Sequence, residues 1–142
     1  MNLSNEWFAT VDDTDMGEVV VRGRLHLDSV RMSGLYNMRV EVQWKLKGDE
    51  KGMPSDTEAE VIDSVMNIMC EALERGDKAV LTAIHTGAGQ VRYVFYAVGV
   101  DAFSDTISPL LQRLGNLPIR IGAVKDSEWS DYTAMIARQA MT

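Results

Sequence analysis

The clearest pattern in the chain is an alternation of apolar and polar residues at positions 38–46. Val40 and Trp44 fall on one side of an extended backbone, whereas Glu41 and Gln43 fall on the other. Successive side chains of a strand point to opposite faces of a sheet, so a single apolar side indicates half-burial. Residues 38–46 are therefore predicted to form a strand with one face in the core.

Two further strands are predicted before this one. Residues 7–11 have strand composition, residues 12–17 are rich in turn formers, and residues 19–28 alternate again. The apolar side of the second alternation consists of Val19, Val21, Leu25 and Leu27. We expect an N-terminal hairpin.

A helix is predicted to begin after a polar loop at residues 47–54. Ser55 and Glu58 have the spacing of a capping box, in which each side chain accepts a hydrogen bond from the other residue's backbone N–H. One stripe at helical spacing then consists of Ile62, Val65, Met66, Met69 and Leu73. Gly76 is predicted to supply the left-handed residue that ends the helix after Arg75.

Residues 79–86 and 91–99 are two strand patterns separated by Gly87-Ala88-Gly89-Gln90, which suits a tight hairpin turn. Both faces of this hairpin are largely apolar, so we expect a central position in the sheet with cover on each side. Pairing across the turn sets His85 opposite Arg92, Ala83 opposite Val94 and Leu81 opposite Tyr96.

The C-terminal third predicts a second helix at residues 101–114, a last strand at 119–124 and a helical segment within 126–140. Pro109 removes one backbone donor, so the second helix is expected to begin at Ser104 or later. The order from Met38 onward is strand, helix, strand, strand, helix, strand.

That order predicts an α+β fold of the ferredoxin-like, or split βαβ, type, with an antiparallel sheet and two helices on one face. Two extra N-terminal strands and a C-terminal helix are added to it. No linker or repeat divides the chain, so residues 1–142 are interpreted as a single domain.

The second face of the sheet also needs cover, because an open apolar face would be larger than monomers usually tolerate. The C-terminal helix is the candidate within the chain, and a second copy of the chain is the alternative. We favour the C-terminal helix because its apolar side chains fall on one stripe: Tyr132, Met135 and Ile136.

Composition narrows the function. The 142 residues carry a formal charge of −7, which argues against nucleic acid as a direct partner. Arg22, Arg24, Arg39 and Lys45 are dispersed along strands and are interpreted as a solvated face with cross-strand ion pairs. Residues 1–6 lack a signal pattern and no apolar run could span a bilayer, so we expect a cytoplasmic protein without membrane contact.

The reactive side chains do not form a known catalytic pattern. One cysteine, Cys70, and two histidines, His26 and His85, cannot supply a zinc site without several carboxylates, so no metal or cofactor is predicted. His26 is most simply solvated. His85 lies beside Arg92, where a structural hydrogen bond is favoured over a catalytic role.

Three stretches of the chain resemble the bacterial family catalogued as domain of unknown function six-nine-five. They are Glu6-Trp7-Phe8, then Thr86 with Gly89, Arg92, Tyr93, Phe95 and Tyr96, and finally Asp126, Glu128, Trp129 and Tyr132. The sequence departs from the family's usual aromatic at Val94. That family is similar, in its helix and hairpin region, to regulator of ribonuclease activity B, a small acidic protein that binds and inhibits an enzyme. This second similarity is one of fold, so the function that it implies is an analogy drawn from the fold alone.

Two functions follow from these observations. The first is a non-enzymatic protein-interaction or regulatory module, a monomer or homodimer that binds a protein partner. We favour this first function; the alternative is a small-ligand or hydrolytic enzyme with a site around His85, Arg92, Tyr96 and Trp129. Exposed Trp, Tyr and Arg contribute most at protein interfaces, whereas buried aromatics would simply pin the chain termini to the sheet. The candidate binding residues are His85, Arg92, Tyr96, Trp129 and Tyr132.

Overall fold

Six strands and four helices make up the part of the chain that the structure, a computed structural model, describes: residues 2–47 and 51–140. Residues 48–50 of the predicted loop, with residues 1, 141 and 142, lie outside it. The elements are β1 (Trp7–Thr14), β2 (Gly17–Arg24), α1 (Asp28–Met32), β3 (Met38–Lys45), α2 (Asp56–Arg75), β4 (Ala79–Gly87), β5 (Gln90–Ala97), α3 (Val100–Leu114), β6 (Ile119–Lys125) and α4 (Ser130–Ala140).

All the strands lie in one sheet in the order β1-β2-β4-β5-β3-β6, and each neighbouring pair is antiparallel. The mixed α+β class and the predicted order of elements from β3 onward are confirmed. β1 and β6 are the edge strands, which places the β4–β5 hairpin near the centre of the sheet as expected.

The prediction for the second strand was too long. β2 ends at Arg24, and the backbone then turns at His26, whose φ is 62°. Leu27 is buried, but it directly precedes α1, a short helix that the alternating pattern concealed. The strand therefore ends at a residue with a left-handed backbone conformation, although apolar and polar residues continue to alternate beyond it.

Helix α2 begins as the sequence predicts. Both hydrogen bonds of the Ser55–Glu58 capping box are present. Its other end differs, because Gly76 has a φ of −85° and Asp77, with φ 54°, is the left-handed residue. The backbone N–H of Lys78 reaches the carbonyl of Leu73, which is the Schellman arrangement with aspartate in the place usually taken by glycine.

The central hairpin pairs His85 with Arg92 and Ala83 with Val94, as predicted. A bulge between Leu81 and Ala83 then shifts the register, so Leu81 lies opposite Phe95 and not opposite Tyr96. The extra residue, Thr82, is fully buried and its hydroxyl donates to the Val94 carbonyl, 3.1 Å away. The bulge moves Leu81 to the opposite sheet face from the one predicted.

Helix α3 begins at Val100, before the predicted Ser104, and Pro109 lies inside it. Pro109 is on the exposed side, where the helix tolerates the lost donor more easily than in the core. Phe103 and Ile107 are the fully buried contributions of this helix.

Two hydrophobic cores lie on opposite faces of the sheet. α2 and α3 pack together with β3 and β5 on one face, as predicted. On the other face, α4 packs with β1, β2, β4 and β5, which confirms that the C-terminal segment covers the second face. Gly23 permits this packing, because a Cβ there would lie 2.2 Å from the Phe8 ring and 2.9 Å from Met135. The α4 core contains Phe8, Val21, Leu27, Tyr36, Val80, Ala83, Val94, Tyr96, Trp129, Tyr132 and Met135.

Candidate functional site

The structure divides the five candidate residues into two groups. His85 and Arg92 lie opposite each other on β4 and β5 and line a cleft at the surface. Tyr96, Trp129 and Tyr132 lie in the α4 core, with exposed fractions of 0%, 1% and 4%. They do not line this cleft.

The cleft opens between the N-terminal hairpin and α4 and has a volume of about 250 Å³. We call it the His85–Arg92 cleft. Its floor is the sheet, and α4 forms one wall with Asp131, Met135 and Arg138. The remaining lining residues are Asp12, Thr14, Val19 and Arg39.

A buried carboxylate holds the floor of the cleft together. Glu41 is 9% exposed and accepts from Arg39 at 3.1 Å and from Arg92 at 3.2 Å. Gln43 also donates to it at 3.1 Å, and Arg39 reaches across to Asp131 on α4 at 3.0 Å. Burial opposes the charged form of Glu41, but Arg92, Gln43 and Arg39 outweigh burial and lower its pKa below the ordinary value.

Among the titratable groups of this cleft, His85 is the one whose pKa is shifted most by its surroundings. Burial, and then the positive charge of Arg92, lower its pKa to about 4, although Asp131 and Glu41 act in the opposite direction. The imidazole is consequently neutral near pH 7, with one ring nitrogen as donor and the other as acceptor.

The aromatic residues fasten α4 to the sheet. Tyr96 and Trp129 stack with ring centroids 4.3 Å apart, and Trp129 meets Tyr132 edge-on at 5.5 Å. Trp129 also donates from Nε1 to the Tyr36 carbonyl at 2.7 Å, and the Tyr132 hydroxyl donates to the Arg24 carbonyl at 2.6 Å. These contacts fit a structural role, with ring burial and polar ends both satisfied.

Asp126 caps α4 and joins the helix to this aromatic group. Its carboxylate accepts from the backbone N–H groups of Ser130 and Asp131 at 2.8 and 3.2 Å, and from the Tyr96 hydroxyl at 2.7 Å. Burial raises the pKa of Tyr132 to about 12, so this hydroxyl stays protonated at neutral pH. The similarity noted in Asp126, Trp129 and Tyr132 therefore falls on residues that position the helix carrying Asp131 and Arg138.

Arg24 does not belong to the solvated strand face that the sequence suggested. It is 7% exposed, lies over the Trp7 ring and donates to Glu74 on α2 at 2.9 Å. The same guanidinium also donates to the Leu81 carbonyl at 3.1 Å, while Glu74 accepts from the Leu81 N–H at 2.9 Å. This buried pair satisfies the backbone next to the bulge.

Of the residues that line the cleft, sequence reasoning proposed only His85 and Arg92 as site residues, and it also missed Glu41, which lies behind the floor. Glu41 was interpreted as solvated because it alternates with apolar residues, whereas the structure buries it between two arginines. Asp131 and Arg138 come from a distant helix, and their separation of seven residues, about two helical turns, is the signal in the sequence that they share a side.

The other reactive side chains lie outside the cleft. His26 is exposed and pairs with Glu6 at 2.9 Å. Cys70 is largely buried on α2, and burial raises the pKa of its thiol to about 12. Within residues 2–47 and 51–140, no three His, Cys, Asp or Glu side chains cluster as metal ligands. No helix in these ranges is long and apolar enough to cross a membrane.

Together the sheet, its two covered faces and the cleft define a small α+β domain. The model of the family of unknown function DUF695 matches residues 5–136, and the chain belongs to that family. The match includes β1 through most of α4, and with them every residue of the cleft except Arg138. Comparison with curated proteins gave no match.

Proposed function

We propose that the protein is a non-enzymatic protein-interaction or regulatory module that binds a protein partner through the His85–Arg92 cleft. The observation that carries this proposal is a set of hydrogen-bond donors left available around the cleft. Arg138 makes no ion pair or hydrogen bond with the described residues, and Arg92 uses only Nη1 to contact Glu41. With the N–H of a neutral His85, these groups suit an acceptor such as a partner carboxylate.

The paired charges behind the cleft favour recognition over chemistry. Arg39 is bound to both Glu41 and Asp131, so its guanidinium is held in place before a partner arrives. A binding surface that is ordered in advance loses less conformational entropy on association. The ion pairs of Arg39 would hold the cleft in shape, and Arg138 would contact the partner.

A hydrolytic or small-ligand site is the second candidate, because the cleft places an imidazole beside a guanidinium. A general base is most effective when its pKa lies near the working pH, and a pKa of about 4 makes His85 a weak base at neutral pH. Tyr96 and Trp129, which this alternative includes, lie in the α4 core. Both observations support the interaction module.

The interaction module can be tested by comparing the wild type with two variants. Immobilised wild-type protein, Arg138→Ser and Arg113→Ser would be used to capture proteins from a cell lysate. Arg113 is an exposed arginine on α3, outside the cleft, and controls for the lost charge. We expect a partner bound by the wild type and by Arg113→Ser, and at least tenfold less by Arg138→Ser. Equal capture by all three, or no capture, would contradict the proposal.

The wild type, Arg113→Ser and a further variant, His85→Asn, would be assayed with p-nitrophenyl acetate and p-nitrophenyl phosphate. Turnover by the wild type that disappears in His85→Asn, but persists in Arg113→Ser, would support the hydrolytic alternative.

We propose further that β3 to β6, with α2 and α3, form a ferredoxin-like unit. The sheet order β4-β5-β3-β6 and the shared core of α2 and α3 support this finer assignment. The likeness to regulator of ribonuclease activity B is also part of this proposal. We propose in addition that the protein is cytoplasmic, that it is a monomer or a homodimer, and that it binds neither nucleic acid nor membrane. Cell fractionation and light scattering would test location and mass.

A further inference from the structure

One edge of the sheet is open in the described part of the chain. β6 pairs with β3, and no described strand lies beyond it. Six of its seven residues are exposed, among them Ile121 and Val124 with exposed fractions of 40% and 56%. An uncovered edge strand with exposed apolar side chains is a template for another strand.

The hydrogen bonds at both ends of β6 show which backbone groups point outward. Lys45 N–H donates to the Pro118 carbonyl, and Asp126 N–H donates to the Asn37 carbonyl. Alternate residues of an antiparallel strand bond to the same neighbour, so the even-numbered residues of β6 face β3. Ile121, Ala123 and Lys125 consequently turn their N–H and C=O groups away from the sheet.

The charges along this edge select the kind of strand that could add to it. Arg120 and Lys125 are the charged residues of β6, and both are cationic. A cleft of about 410 Å³ beside the start of the strand has Lys45 and Arg120 as its charged lining among the described residues. On a chain with a net charge of −7, this edge is locally positive. It would repel a basic strand and attract an acidic one.

We propose that β6 binds an extended acidic segment of a partner protein by strand addition. The side chains give the segment a pattern. Acidic residues would lie opposite Arg120 and Lys125, and apolar residues opposite Ile121 and Val124, with any residue between. The resulting order, acidic, apolar, any, any, apolar, acidic, is the same in both strand directions.

A second copy of the chain fits this edge poorly. None of the six strands contains that order of residues, and β6 against itself would bring cationic side chains together. The proposal rests on the proposed function only in that the partner is a protein, and it concerns a surface separate from the His85–Arg92 cleft.

The test uses the full chain and the blocked peptide Glu-Val-Thr-Thr-Val-Glu. Amide hydrogen exchange, read by NMR with and without saturating peptide, should slow at least tenfold at Ile121, Ala123 and Lys125. The matched peptide with lysine in place of glutamate should bind about tenfold more weakly. Binding without protection of these three amides would overturn the proposal, as would absence of binding or a doubled mass of the free protein in sedimentation.

Two variants separate the backbone contribution from the charge contribution. Ala123→Pro removes an outward N–H that does not bond to β3, so the fold should persist while peptide binding is lost. The double variant R120E/K125E leaves the backbone unchanged and should prefer the lysine peptide. Retained preference for the glutamate peptide would overturn the proposal even if Ala123→Pro failed to fold. Arg138→Ser should leave peptide binding unchanged, so failure at the cleft and failure at the edge are distinguishable.

Discussion

His85 should make the protein less stable as the pH falls from neutral to about 5. His85 lies on β4, between β2 and β5 and opposite Arg92, and its pKa falls from 6.5 to about 4. Below pH 6.5 the unfolded chain takes up a proton that the folded chain resists. Stability is therefore lost as the pH falls through 6.5 towards 4, and it is fully present above 6.5.

The size of the effect follows from these two pKa values. A histidine whose pKa falls from 6.5 to about 4 on folding lowers the free energy of unfolding by about 2 kcal/mol at pH 5 and by almost nothing at pH 7.5. The ring keeps some contact with solvent, and screening reduces the expected loss to about 1–2 kcal/mol. Glu41 has a lowered pKa, so its own contribution is lost only below its ordinary value of 4.5, outside this range.

Urea denaturation at both pH values would measure the effect. His85→Asn should lose most of the pH dependence, whereas His26→Asn, at the exposed histidine with positive φ, should behave like the wild type. A His85→Asn variant that keeps the full pH-dependent loss would refute the reasoning, because the proton uptake would then belong to another group.

Three further changes test the packing of the two faces. Glu74→Gln keeps an acceptor for the backbone but leaves Arg24 without its charge partner, and should cost about 3 kcal/mol in urea unfolding. Gly23→Ala should cost about 1–3 kcal/mol by displacing a core phenylalanine ring, while Gly122→Ala, with open space around it, should be neutral in the same assay. Deleting residues 127–142 should uncover the α4 core and cause aggregation in gel filtration; a soluble, equally stable truncation would show that another element covers this face.

The elements of the sheet could be predicted because their signals are local. The alternation at β3, the capping box at Ser55 and the glycine-rich turn between β4 and β5 each act within a few residues, and each is present in the structure. The order of these elements along the chain also indicated which strands follow one another directly and could therefore form hairpins.

The bulge at Thr82 could not be predicted in the same way. Its neighbours Leu81 and Ala83 continue an unbroken apolar run, so the sequence carries no mark of the extra residue. The bulge is stabilised by distant groups, with Glu74 accepting from Leu81 and the Val94 carbonyl accepting from Thr82.

The candidate site was predictable only where strand register brings its residues together. His85 and Arg92 follow from the hairpin turn, whereas Asp131 and Arg138 join them only once α4 has packed on the sheet. The burial of Glu41 depends on two arginines from different strands, which alternation alone cannot reveal. Tyr96 and Trp129 are of residue types that are common at protein interfaces, but both lie in the core.

The most direct test of the account is an NMR titration of the labelled protein with the partner captured by the wild type. Binding at the cleft predicts that the side-chain signals of His85, Arg92 and Arg138 shift in proportion to the bound fraction. It also predicts that Arg138→Ser weakens binding at least tenfold while Arg113→Ser binds like the wild type. Partner-induced shifts confined to residues outside the cleft, with equal affinity for all three proteins, would contradict it.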